Sequence, residues 1–589
     1  MWITLALITP ADAAARDFSI TSFDGTRIEA HFFPARDLGP RARAPTILVG
    51  PGWGSGGYTD EDAVGNESSG IGIGVLRGAG YNVLTWDPRG FGSSGGDAKW
   101  DSPYFEARDV QALLDALAGI SEAKLDGPGD PRVGMHGSSY GGGIQLVTAA
   151  VDPRIEAITP IVAWHSLLAS FYKASVFKAG WGSMLCGHGS ARGTGAGLVN
   201  PEGAAAGSMD SHMYSICASG LASGRLSGED QSWLSDRGPG TTWMDRVRTP
   251  TLILHGTVDT LFTLDEAIQN FRVLRSNGVP TRMMWFCGGH GVCRTSRGAG
   301  GYVEDAVLRW LAVYVKRQTA ATGPAFEWID QNGAWHSASD YPLAGDGSVT
   351  ASGSGRLQLV AGDAASSGTT DSGTPSPVGV DIRIPAPSRR VNLVGAPTLE
   401  LDYRGRGTTA AARAYAQIVD ADRHIVIGGQ VTPLPLELDN QQHTLSLSLE
   451  TLAYALTPSM NVRLEIIPAT DVYGSQRANG LIELTRIALS LPLGKSPVSA
   501  PPPTRSCTPR LRPNSVKRRD DGRVRIRPRI RCGGERLRRR VKITDGRHRW
   551  SRRTGRVSIL RVRPRARRLV VRFRHAGVRH RERVPIRRG

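Results

Sequence analysis

An α/β architecture on a mostly parallel sheet is the fold class this sequence predicts, and three observations carry it. Short apolar runs alternate with stretches of helical periodicity over the first half of the chain, the pattern of strands joined by right-handed crossovers. One such run, Val133-Gly134-Met135-His136, passes through Gly137-Ser138-Ser139-Tyr140-Gly141 directly into a helical stretch containing Ile144 to Ala150. Beyond about residue 324 the pattern changes to short alternating runs separated by Gly, Ser, Asp and Pro, which predicts a β-sandwich.

The elements follow in order. Residues 17–34 alternate around Asp24-Gly25 and predict a hairpin at the antiparallel edge of the sheet. Pro45 to Val49 reads as a buried strand and ends in the glycine-rich loop Gly50-Pro51-Gly52-Trp53-Gly54-Ser55-Gly56-Gly57. Asn82 to Trp86 is another, running into Asp87-Pro88-Arg89-Gly90-Phe91-Gly92-Ser93-Ser94-Gly95, where Asp87 and Arg89 are expected to hold the turn. Ser102-Pro103 predicts an N-cap and first helical residue, with a helix over 104–118 through Val110, Leu113, Leu114 and Leu117. Ile155 to Ala163 is the next strand. The segment that follows, 165–243, carries Trp181, Trp233, Cys186 and Cys217 and is expected to form a lid, where substrate selection occurs. Pro250 to Asp259 and Arg282 to Phe286 supply the later strands.

A serine between glycines at a strand-to-helix turn is the nucleophile elbow of an α/β-hydrolase. Read alone, Gly-x-Ser-x-Gly is short enough to arise by chance. It gains weight from Asp259, after a later strand, and His290, between glycines after the next one, because a Ser-Asp-His order is what this fold requires. Ser139 is then the expected nucleophile, His290 the base and Asp259 the acid that orients it. The backbone N–H groups of Tyr140 and Trp53 are the expected oxyanion donors, the second from the glycine-rich loop. His136 and His255 lie inside apolar runs and read as core histidines. Asp265 and Glu266 read as acids of a first helical turn.

The chain is 589 residues long with a net charge of +19, but that charge is not spread evenly. Residues 501–589 hold 33 Lys+Arg against 5 Asp+Glu, leaving residues 1–500 with 39 basic and 48 acidic side chains. The main body therefore carries no polyanion signature; the tail does. Residues 1–15, apolar and then alanine-rich, are expected as the remnant of a signal peptide. No other run approaches a spanning helix, so no transmembrane segment is expected. The six cysteines fall as Cys186 with Cys217, Cys287 with Cys293, and Cys507 with Cys532. Even number and segregation suit disulfides and a secreted or cell-surface location. None has Cys-x-x-Cys spacing, so neither a metal nor another cofactor is expected.

The predicted organisation is an α/β-hydrolase catalytic domain over 16–320 with its lid insert at 165–243, and a jelly-roll-like β-sandwich over 324–494. A proline-rich linker (495–504) and a small arginine-rich β module (505–589) complete it. The tail is expected to hold anionic cell-wall polymers. It lacks the interleaved aromatics of a base-reading surface, so no specific nucleic-acid recognition is expected.

These residues resemble the X-prolyl dipeptidyl-peptidase and cocaine-esterase family of serine hydrolases. The resemblance is carried by Gly137-Ser138-Ser139-Tyr140-Gly141-Gly142, by Asp87 to Gly95, by the insert, and by a β-rich domain entered near Trp328 to Trp335 and Tyr341-Pro342. It spans roughly residues 17–494. It implies Ser139, Asp259 and His290 as a triad and a peptide or ester substrate, with an X-prolyl dipeptidyl-peptidase-like enzyme and an esterase or acylase both open. The rival from another class is a surface-binding protein whose hydrolase domain is inactive, and the complete Ser-Asp-His order argues against it. Several members of the family use a tyrosine hydroxyl in the oxyanion hole. Here Tyr58 lies several residues beyond Gly50-Pro51-Gly52-Trp53-Gly54, and an amide donor is expected instead. Asp60, Glu61 and Asp62 are candidates to hold a substrate ammonium group, or equally an acidic surface turn.

Overall fold

The computed structural model describes residues 14–587 apart from 40, 67–69, 194–206, 364–367, 496–509, 513–515, 522, 533–534, 538–539, 555 and 576–577. Most of the expected leader and linker, and with Cys507 the expected Cys507/Cys532 pair, lie outside the described residues. Two compact units emerge, one of residues 1–298 and 306–500, the other of 299–305 and 501–589.

The first unit is built on a ten-stranded sheet: β1 (Arg16–Thr21), β2 (Arg27–Phe33), β3 (Thr46–Gly50), β4 (Asn82–Trp86), β5 (Val133–Ser138), β6 (Ile155–Ile161), β7 (Thr251–Gly256), β8 (Thr281–Phe286), β9 (Phe326–Ile329) and β10 (Trp335–Ala338). Their spatial order is β1-β2-β4-β3-β5-β6-β7-β8-β9-β10. Every pairing from β4 to β9 is parallel, and antiparallel pairs close both edges. β3, β4, β7 and β8 are buried along their whole length, as strands covered on both faces must be. The helix Glu106–Ala118 turns Val110, Leu113, Leu114 and Leu117 into a core shared with Leu48, Met135, Leu146, Ile158, Phe271 and Trp285.

Two expectations change. The expected β-sandwich boundary at 324 moves, because β9 pairs with β8 in parallel and β10 turns back along β9. Residues 326–338 thus belong to the ten-stranded sheet. Trp328 and Phe326 are fully buried there, which explains the aromatic content that had suggested the start of another domain. The helix expected from Ser102-Pro103 begins only at Glu106. The Glu106 carboxylate accepts the backbone N–H groups of Lys99 and Ser102 and pulls the preceding residues into a turn.

The β-rich region forms an eight-stranded antiparallel sheet with a core of its own, including Leu399, Leu401, Ile418, Leu434, Leu464, Ile482 and Leu489. Four of the short alternating runs, 398–401, 414–419, 424–427 and 444–449, merge into two long strands, Thr398–Asp420 and Ile425–Ser448, paired along their length. The first half of Thr398–Asp420 also pairs with Gly480–Gly494 and the last part with Val462–Ile467. Exposed residues between Arg406 and Ala411 interrupt the alternation, and the register shifts there. That interruption is why one strand reads as two.

The second unit is a small β module with Val524, Ile526, Ile530, Val541, Ile543, Leu560, Leu569, Val571 and Phe573 at its centre. Between these alternate exposed arginines: Arg523, Arg525, Arg527, Arg529, Arg561, Arg568 and Arg572. The period of two separates an apolar inside from a cationic outside.

Candidate active site

β5 delivers Ser139 to the top of the sheet and the helix Tyr140–Val151 leaves immediately after it. Ser139 sits at φ 57°, ψ −118°, a backbone conformation that costs a side-chain-bearing residue of order 1–3 kcal/mol. The glycines make the turn possible. A Cβ on Gly141 would lie 2.1 Å from the Gly50 carbonyl oxygen, and one on Gly137 (φ 149°) 2.7 Å from the same atom. Gln145 fixes the elbow from below: its Nε2 donates to the carbonyls of Gly137 and Gly141, and its Oε1 accepts from Thr159 on β6.

The three residues expected from their order converge. His290 Nε2 lies 2.8 Å from Ser139 Oγ, and His290 Nδ1 lies 2.7 Å from Asp259 Oδ2. The same carboxylate oxygen accepts the His290 backbone N–H, so ring and backbone are held together. Asp259 is fully buried, and its other oxygen accepts the N–H groups of Leu261 and Phe262. Burial pushes the Asp259 carboxyl up, but the His290 ring and the N–H donors outweigh it and leave the group below its ordinary value. It is therefore an anion at neutral pH. Phe262 meets the His290 ring edge to face with centroids 5.2 Å apart, and Trp181 of the insert does so at 5.8 Å. The Cys287–Cys293 disulfide brackets His290. Cys186–Cys217 joins the insert helices Ala179–Gly193 and Ser211–Ser223.

Tyr140 opens its helix, so its N–H is among the amides with no partner inside that helix. Trp53, in the loop after β3, packs its indole edge-on to the Tyr140 ring at 5.2 Å and stacks on Trp100 at 5.3 Å. Its Nε1 donates to the Leu185 carbonyl, which fixes the loop to the insert. Tyr58, 37% exposed, follows directly after that loop, and partial burial raises its phenol.

Other expectations resolve through their partners. His136 is fully buried, accepts the Ile71 N–H at 2.7 Å and is driven by burial down to about 4, a neutral core histidine. His255 is equally buried and bonded to the Phe262 carbonyl. Asp87 accepts the N–H groups of Gly57 and Ser93, and Arg89 bridges Asp24 and Asp109, so both hold the turn as expected. Glu61 pairs with Arg77 and Asp62 with Arg36, while Asp60 caps its own turn. These three acids are engaged at the surface.

A buried acidic group behind the elbow had no sequence signal. Asp101 and Glu106 lie at 0% and 3% exposure beside Tyr140, whose hydroxyl donates to Glu106 Oε1 at 3.2 Å. Burial raises Asp101 well above the carboxylate range, with Glu106 adding to it, and burial lifts Glu106 to about 7. Single acids among loop residues read as surface groups until the fold encloses them.

Residues 24–292 match the family model described as X-Pro dipeptidyl-peptidase (S15 family). A polyketide transferase of Penicillium sp. is 26% identical over 159 residues, covering 26% of this chain and 48% of that protein. An uncharacterized protein of Pseudomonas aeruginosa is 30% identical over 117 residues, 20% of this chain and 28% of that one. The chain thus aligns with about half or less of the length of these curated relatives. Among solved structures, a CocE/NonD family hydrolase from Staphylococcus aureus superposes with a TM-score of 0.55 at 12% identity, covering 84% of this chain and 99% of that one. An α-amino acid ester hydrolase gives 0.59 at 14%, with 84% and 100% covered. An aminopeptidase from a marine-sediment Thaumarchaeota archaeon gives 0.61 at 12%, with 82% and 96% covered. At these identities the structures establish a shared fold.

Proposed function

We propose, for a serine hydrolase whose residues 24–292 match the X-Pro dipeptidyl-peptidase family, that Ser139, His290 and Asp259 form the catalytic triad of an exported enzyme acting on ester or peptide acyl groups. The observation that carries this reading is one imidazole within hydrogen-bond reach of both partners, 2.8 Å from Ser139 Oγ and 2.7 Å from Asp259 Oδ2.

The chemistry follows from that contact. His290 Nε2 takes the Ser139 proton as Oγ attacks the acyl carbon, and Asp259 stabilises the imidazolium that forms. The N–H groups of Tyr140 and Trp53 receive the developing oxyanion, each donor worth on the order of 10²-fold or more in rate. The imidazolium then protonates the leaving group, and water repeats the sequence on the acyl-enzyme.

The substrate we propose first is X-prolyl dipeptidyl-peptidase-like, on the strength of the family match. The engagement of Asp60, Glu61 and Asp62 elsewhere favours a second reading, an esterase or acylase of the same group, because a dipeptidyl-peptidase must hold a free ammonium group. Two disulfides among the described residues support export. Among those residues no helix is long and apolar enough to cross a membrane. The cationic outside of the C-terminal module supports retention on anionic cell-wall polymers. Salt-sensitive adsorption to cells that persists after deletion of 501–589 would refute that part.

A fluorophosphonate probe should label wild-type enzyme and leave Ser139→Ala unlabelled. X-Pro-anilides assayed beside short acyl esters then separate the substrates, and cleavage of esters alone sinks the dipeptidyl-peptidase reading.

A further inference from the structure

We propose that Lys178, a residue of the insert, is a positioning residue for Asp259, coupled to it through two peptide groups. The inference rests on the triad reading above.

Lys178 is 2% exposed, an unusual position for a lysine, and it stands at the start of the insert helix Ala179–Gly193. Its Nζ donates to the carbonyl oxygens of Thr260 at 3.1 Å and Leu261 at 2.9 Å. These carbonyls belong to the same two peptide units whose N–H groups, on Leu261 and Phe262, donate to Asp259 Oδ1 at 3.1 and 2.9 Å. Each peptide group therefore has an ammonium at its oxygen end and a carboxylate at its nitrogen end. Both dipoles point in the sense that stabilises both charges, and hydrogen bonds in series polarise one another in a buried setting. A cation from the insert thus reaches the acid that orients His290, without touching the substrate or the imidazole.

A second contact follows the same route. Trp181, one helical turn on, donates its Nε1 to Thr260 Oγ1 at 3.1 Å while its ring lies against His290. The insert is accordingly fastened to the acid loop by two side chains. The other charged groups around Lys178 are Glu450 from the β-rich region, Lys173 from the insert, and Glu266 from the helix Leu264–Ser276; Lys173 is held by Glu450 at 2.6 Å. Burial lowers the Lys178 ammonium to about 8, with Lys173 adding to the decrease while Glu450, Asp259 and Glu266 oppose it. The cation is therefore retained at neutral pH and lost on the alkaline side.

The test is the rate constant for fluorophosphonate modification of Ser139 against pH, in wild type, Lys178→Arg and Lys178→Met. In wild type the rate should fall above about pH 8, as the ammonium loses its proton. Lys178→Arg keeps the charge and should move that fall to higher pH. Lys178→Met should react about tenfold to a hundredfold more slowly at neutral pH. A packing role alone would lower stability without moving the alkaline limb. Wild-type rates in Lys178→Met, or an unchanged alkaline limb in Lys178→Arg, would overturn the proposal. If Lys178→Met fails to fold, the Lys178→Arg limb decides. Absence of labelling in the wild type would instead overturn the triad reading.

Discussion

Gln430, on a strand of the β-rich region, donates its side-chain amide to the backbone carbonyl of Asp259 at 2.8 Å. The region outside the hydrolase sheet thus buttresses the loop that carries the acid. Gln430→Ala should leave that buried carbonyl without its donor, costing about 1–2 kcal/mol of stability. It should also lower kcat/KM about threefold to tenfold, because a small displacement of Asp259 is passed to His290. Denaturant unfolding and steady-state kinetics on the same preparation check both figures.

Asp259→Asn keeps the volume and removes the charge. It also offers an N–H where His290 Nδ1 now donates, which favours the wrong imidazole tautomer. A fall in kcat on the order of 10⁴-fold with an unchanged circular-dichroism spectrum is expected. A loss of less than about tenfold would show that Asp259 is not the orienting acid.

The Cys287–Cys293 bridge closes a short loop around His290, with Cα atoms 5.4 Å apart. Replacing both cysteines by serine should cost about 2 kcal/mol or less of global stability. It should slow probe labelling more than it lowers Tm, because the constraint is local to the base. Intact-mass analysis before and after alkylation verifies that wild type carries no thiol at these positions.

Gly141→Ala is expected to be severe. The new methyl carbon would meet the Gly50 carbonyl oxygen at 2.1 Å, backbone against backbone, with no flexible side chain to yield. A loss of about 3 kcal/mol or more, at the upper end of overpacking, is the expected result of thermal or urea unfolding.

Glu106 supplies a pH dependence of stability. Its folded value of about 7 lies above the ordinary 4.5, because burial favours the protonated form. Between those values the folded state binds more protons than the unfolded chain. Stability contributed by this group is therefore complete below 4.5 and is lost as pH rises through 7, by up to about 3 kcal/mol. Glu106→Gln should flatten that part of the stability–pH curve. An equally steep slope in the variant would assign it to another group.

The sheet and the candidate triad were legible because their signals are local. Gly137 and Gly141 are required by a backbone approach that any side chain would block, and that requirement is written in five consecutive residues. The order Ser139, Asp259, His290 then followed from strand-end loops alone. What could not be read depends on partners distant in the chain. β9 and β10 look like any short aromatic strands until β8 accepts them. The long strand Thr398–Asp420 loses its alternation where Arg406 to Ala410 are exposed. Lys178, Asp101 and Glu106 are ordinary charged residues in the sequence, and only enclosure by the insert and the elbow makes them unusual.

The backbone of Ser139 has a consequence for the evolution of the chain. At φ 57°, ψ −118° a glycine would rest without strain, so Ser139→Gly should yield a protein more stable than the enzyme, by about 1 kcal/mol. Selection for persistence and selection for turnover pull this position in opposite directions. A lineage released from the need for chemistry would drift toward glycine here while keeping Gly137, Gly141 and Gln145, which serve the fold. A relative with an intact elbow and no serine would mark such a loss of function.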